Sequence, residues 1–187
     1  MTEQRVESGR NNSIAHIVYA SDDGFAEILG VSMVSLFENS KDMEKIFIYI
    51  LDDSISQENL QRIFSVCEKY GQPAPMIIPA KDITKELKMD VAIDRGSLTQ
   101  YARLFIQRDL PKDLDRVLYL DCDIIVQKSI KELWNLNMHG KTIAALNDAF
   151  SRYYRININH NHLDFCTYVS GIRIFNHTAY SVQNPSS

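Results

Sequence analysis

Four short stretches, 14–20 (IAHIVYA), 46–51 (IFIYIL), 76–78 (MII) and 116–120 (RVLYL), are apolar at nearly every position instead of every second one. A strand built this way offers apolar side chains to both faces of its sheet, so both faces must be covered. Between these stretches lie segments with helical periodicity. Asp22 or Asp23 can cap a helix over 26–38, with Ile28, Val31, Val34 and Leu36 as its recurring apolar positions. Ser56 opens a second helix that sets Leu60, Ile63, Phe64 and Cys67 on one face, with Gly71 just past its end. A short helix is expected near 82–87, and another over 97–107 with Leu98, Tyr101, Leu104 and Phe105 together. Further extended segments are expected at 124–126, 142–146 and 168–175. Alternation of this kind predicts one α/β domain over 14–180, with a mostly parallel sheet and helices on both faces. Residues 1–13 are expected to form a disordered tail and 181–187 an unstructured one.

Composition narrows the function classes. With 187 residues, 45% hydrophobic and 24% charged, the chain suits a single globular core and not a disordered or fibrous one. A net charge of −4 offers no broad cationic surface for nucleic-acid phosphates. Cys67, Cys122 and Cys166 form no CxxC pair, so zinc ribbons and thioredoxin-like motifs are unsupported. The polar first 13 residues hold no signal-peptide core, and the ten-residue uncharged run 28–37 is too short to span a bilayer. A cytoplasmic location with no transmembrane segment is therefore expected, and the sequons at Asn11 and Asn176 read as chance.

In parallel α/β sheets, ligands bind beyond the carboxyl ends of the strands. The polar cluster that stands out there is Asp121-Cys122-Asp123, directly after VLYL. In extended backbone its two carboxylates would share a side while Cys122 points away. Paired carboxylates repel unless a cation lies between them, and Mg²⁺ or Mn²⁺ carrying a nucleotide diphosphate suits oxygen ligands of this kind. A plainer role is also open, since D-x-D can simply end a strand and cap the next element.

The segment RVLYLDCDIIVQKSIKELW resembles glycosyltransferase family 8, which pairs an apolar strand and D-x-D with Val and a short Leu-Trp helix. Val126, Leu133 and Trp134 occupy those places. Upstream, Thr99-Gln100-Tyr101-Ala102-Arg103-Leu104 is similar to the family's T-x-Y-x-R-L segment, and IVYASDDGFA to its first strand and nucleotide loop. Tyr168-Val169-Ser170-Gly171-Ile172 is similar to its later N-[AS]-G strand.

The resemblance implies a GT-A (Rossmann-like) fold and a metal-dependent, retaining hexosyltransferase acting on a UDP-hexose, with a glycan or lipopolysaccharide-type acceptor. Asp121 and Asp123 would be the metal ligands, for Mn²⁺ or Mg²⁺, and Cys122 within that motif is expected among the donor-binding residues. Asp22 would accept from the uracil, Phe25 would stack on it, and Asp23 of the same loop is also expected to bind the donor. Arg103 corresponds to a donor-site arginine, Ser170 and Gly171 to the donor-binding strand, and Asp148 to an acidic position near the transferred sugar, hence the expected catalytic residue. The same residues have structural readings: helix capping for Asp22 and Asp23, a hydrophobic staple for Phe25, a surface ion pair for Arg103. His160 and His162 read as loop histidines, since no third ligand follows at useful spacing.

The family's Asn is Gly24 in the first loop and Val169 in the later strand. Nothing after Tyr180 matches its Asp-Gln pair or its His-x-x-Gly-x-x-Lys-Pro-Trp segment, so a C-terminally truncated member is expected, with an apolar face left uncovered for self-association. Two alternatives accompany the transferase: a UDP-binding remnant that transfers nothing, and a haloacid-dehalogenase-like phosphatase, whose D-x-D also follows an apolar strand.

Overall fold

The computed structural model describes residues 13–80, 106–145 and 172–176. Its elements are β1 (Ile14–Asp22), a 3-10 turn (Asp23–Phe25), α1 (Ala26–Asn39), β2 (Lys45–Asp53), α2 (Gln57–Lys69) and β3 (Met76–Pro79). After these come α3 (Ile106–Asp109), β4 (Arg116–Leu120), α4 (Lys131–Trp134), β5 (Ile143–Ala145) and β6 (Ile172–Asn176). The strands form one sheet in the order β3-β2-β1-β4-β6-β5. β1 pairs in parallel with β2 from Ile14↔Lys45 to Asp22↔Asp53, and with β4 through Ile17↔Leu118 and Val18↔Tyr119. β3 is parallel to β2, and β6 runs antiparallel to both β4 and β5. The sheet is thus mostly parallel, with a single reversed strand.

Near-continuous apolar strands are explained by a core on each side. Ala15, Ile17 and Tyr19 of β1 join Ile46, Ile48 and Ile50 of β2 beneath Leu29, Met33, Leu36, Ile63 and Cys67 of α1 and α2. The intervening Val18, Tyr49 and Leu51 face a second cluster with Ile106, Leu110, Leu114, Val117 and Tyr119. α2 is framed as its sequence requires. The Ser56 hydroxyl accepts from Asn59 N–H, and Gly71, at φ +61°, lets Gly71 N–H and Gln72 N–H reach the Glu68 and Cys67 carbonyls.

Three expectations are corrected. The buried face of α1 comprises Ala26, Leu29, Ser32, Met33, Leu36 and Phe37, whereas Ile28 and Val31 are exposed. Phe64 of α2 is also exposed. Residues 124–126 form no strand, because the chain turns at 121–124 and then follows α1. The Ser13 carbonyl accepts from Glu44 N–H at 2.8 Å. The expected helix at 82–87, most of that at 97–107, and residues 168–171 of the last strand lie outside the described residues.

Candidate functional site

Chain order reverses across the sheet between β1 and β4. β1 continues through α1 to β2 on one side, while β4 lies on the other. Helical crossovers leave opposite faces at such a switch point, which opens a crevice at the carboxyl ends of the two strands. Both polar clusters singled out in the sequence stand there, Asp22-Asp23-Gly24-Phe25 after β1 and Asp121-Cys122-Asp123 after β4.

At the end of β1, the Asp22 carboxylate accepts the Phe25 backbone N–H at 3.1 Å and so shapes the 3-10 turn. Asp23 Oδ1 accepts from the Ser56 backbone N–H and from the Asn59 side-chain amide, both at 2.8 Å. Those bonds, the Ser56 backbone bond foremost, hold the Asp23 carboxyl below its usual range. Phe25 is 40% exposed in the loop that follows β1. A Cβ at Gly24 would meet only Asp22 Oδ1, at 3.4 Å, so crowding does not dictate this glycine.

At the end of β4 the chain turns, with Ile124 N–H donating to the Asp121 carbonyl at 3.3 Å. A turn, and not the extended backbone expected, therefore directs these side chains. Cys122 is buried, and its thiol donates to the Ala20 carbonyl at 3.1 Å. Asp121 is half-buried and Asp123 exposed. Burial foremost, opposed by the Ser21 hydroxyl and aided by the charges of Asp121, Asp123 and Asp22, pushes the Cys122 thiol up to about 12. Asp22, Asp121 and Asp123 thus follow the two strand ends that this thiol joins.

Beyond the turn, Val126 N–H donates to Ser35 Oγ at 2.9 Å, and Asn39 donates to the Val126 carbonyl at 2.9 Å. Ile130 N–H reaches Ser40 Oγ, and Trp134 is fully buried. Buried Arg116 of β4 donates through Nη1 to the Trp134 and Leu136 carbonyls, both at 2.8 Å. Val126, Leu133 and Trp134 therefore serve as the frame that anchors the D-x-D turn to α1 and β4.

Among the described residues, no group of three or more His, Cys, Asp or Glu side chains is arranged to hold a metal ion. Asp121 and Asp123 supply carboxylate oxygens alone, a donor chemistry that fits Mg²⁺ or Mn²⁺ completed by diphosphate oxygens and water. Arg103, Asp148, Ser170, Gly171, His160 and His162 lie outside the described residues. Two contacts escaped the sequence reading: the bond from Cys122 to Ala20 spans 102 positions, and Asp23 is shared with α2. Ser56 as an N-cap was the one local signal near either.

The model of the family described as "Glycosyl transferase family 8" matches residues 16–187. The chain belongs to glycosyltransferase family 8. General stress protein A of Bacillus subtilis (strain 168) is 30% identical over 181 residues, covering 94% of this chain and 60% of that protein. The lipopolysaccharide 1,2-glucosyltransferase of Escherichia coli (strain K12) is 29% identical over 133 residues, 71% of this chain and 38% of the relative. A crystal structure of the galactosyltransferase LgtC in complex with donor and acceptor sugar analogs superposes with a TM-score of 0.72 at 26% identity, over 88% of this chain and 59% of that one. The chain thus spans about 60% or less of the length of these relatives. Its fold is the GT-A, Rossmann-like α/β fold, and family membership displaces the haloacid-dehalogenase-like alternative. No helix among the described residues is long and apolar enough to cross a membrane.

Proposed function

We propose that this family 8 chain forms the donor half of a metal-dependent, retaining hexosyltransferase that takes a UDP-hexose and serves a glycan or lipopolysaccharide-type acceptor. The observation that carries the reading is that Asp22 and the Asp121-Cys122-Asp123 turn follow the carboxyl ends of adjacent strands β1 and β4, joined by the bond from Cys122 to Ala20. Exposed Phe25 offers a stacking face for the base, and Asp22 an acceptor for a uracil N–H. Asp121 and Asp123 would hold the divalent ion, which when bound offsets charge on the departing diphosphate. Their turn hangs from the framework of Ser35, Asn39 and Arg116, so the carboxylates are placed before ligand arrives and little ordering is left to binding. Asp23, whose Oδ1 accepts from Ser56 and Asn59, would belong to the donor-binding loop and hold it to the start of α2. Arg103, Ser170, Gly171 and Asp148 complete the proposal, as sugar- and phosphate-facing groups and as the acidic residue beside the transferred sugar. A cytoplasmic site of action accords with use of a nucleotide-sugar donor.

UDP-glucose and UDP-galactose turnover with Mn²⁺, measured beside a generic phosphomonoester, tests this reading. Release of UDP that requires metal and both Asp121 and Asp123 is expected, with the phosphomonoester untouched. Nucleotide binding without turnover of either sugar would support the remnant reading instead.

A further inference from the structure

We propose that Cys122 is a positioning residue, whose thiol clamps the carboxylate turn after β4 to the end of β1 and thereby fixes Asp121 and Asp123 relative to the base-binding loop. The inference rests on the proposed UDP site. Backbone register between β1 and β4 extends only through Ile17↔Leu118 and Val18↔Tyr119. Beyond those pairs, the two chains must diverge around the crevice while still presenting their polar ends to one ligand. The Cys122 thiol provides the link there, donating to the Ala20 carbonyl at 3.1 Å. It stands two residues before Asp22 on one chain and between the two aspartates on the other.

The surroundings favour this role over a packing role alone. Cys122 joins the α1/α2-side core with Leu120 and Ile130, so its body is anchored by apolar neighbours. Buried Ser21 lies beside the same sulfur, while its hydroxyl donates to the Asp22 carbonyl at 2.9 Å. One small cluster thus touches the backbone of both halves of the site. Alanine at position 122 would keep the turn, which Asp121 and Ile124 close through backbone atoms, but would lose the cross-strand bond. The two loops could then drift apart by the few tenths of an ångström that matter to a ligand held at both ends.

Uridine touches only the β1 side of the proposed site, whereas UDP with Mn²⁺ bridges both sides. Titration calorimetry of the full chain with each ligand therefore separates positioning from general loosening. Cys122→Ala is expected to weaken UDP in Mn²⁺ about three- to tenfold, the scale of one hydrogen bond, with uridine affinity unchanged. Cys122→Ser, which restores a donor, should recover most of the loss. If Cys122→Ala does not fold, Cys122→Val, similar in size but without a donor, replaces it in the same comparison. Equal losses for both ligands, or no loss with UDP and Mn²⁺, would overturn the positioning role while leaving the UDP site standing. Absence of Mn²⁺-dependent UDP binding in the unmodified chain would overturn the UDP site and the positioning role with it.

Discussion

The carboxylate of Asp23 accepts the backbone N–H of Ser56 at 2.8 Å, so the residue that follows β1 also supports the start of α2. An exposed acid in the loop after β1 thereby becomes a structural link to α2. Because those bonds depress the Asp23 pKa, its contribution to stability is fully present above the ordinary aspartate range and is lost as pH falls through the lowered folded value.

Asp23→Ala is accordingly expected to lower the melting temperature at neutral pH. The gap from the unmodified chain should narrow once the pH drops below about 4. Thermal melts across that range check it, and a gap that does not change with pH would remove the carboxylate's role.

Phe25 and Asp22 answer to different measurements. Phe25→Ala should cost less than about 1 kcal/mol of stability, since the residue is 40% exposed. It should weaken UDP by about 1–3 kcal/mol if the ring stacks on the base. Asp22→Ala should narrow the preference for UDP over CDP and ADP by about 1–3 kcal/mol, and should also loosen the turn that it caps at Phe25. Competition binding with the three nucleotides reads both effects.

The mostly parallel sheet and the placement of α1 and α2 were legible, because apolar runs of this kind must be buried on both faces and Ser56 caps α2. The inner face of α1 was not. Apolar residues occur all around that helix, so Ile28, Val31 and Leu36 make as good a stripe in sequence as Leu29, Met33 and Leu36. The choice is made by β1. Tyr19 fills the space beneath the helix and hydrogen-bonds Ser32 at 3.2 Å, which favours the register with small residues at Ala26 and Ser32. Residues of the site could be named from linear motifs, but the bonds that bring them together, Cys122 to Ala20 and Asp23 to Ser56, have no local signature.

That assignment of faces makes its own forecast. Ser32→Leu should overpack the layer under α1 and cost about 1–3 kcal/mol. Val31→Ser, on the exposed side, should change stability by less than about 0.5 kcal/mol. Chemical denaturation of the two variants distinguishes the faces, and the reverse order would restore the stripe of Ile28 and Val31 to the core.

The central claim is that Asp121 and Asp123 bind a nucleotide diphosphate through a divalent ion, and the melting temperature with UDP, with and without Mn²⁺, tests it most directly. Ligand at about 100 times its dissociation constant should stabilise the fold by about 2.7 kcal/mol. For a chain of this size that is a rise of roughly 5–10 °C. The account predicts that rise with UDP and Mn²⁺ together, and its disappearance on adding chelator or on combining Asp121→Ala with Asp123→Ala. An undiminished rise in chelator, or in the double variant, would contradict it.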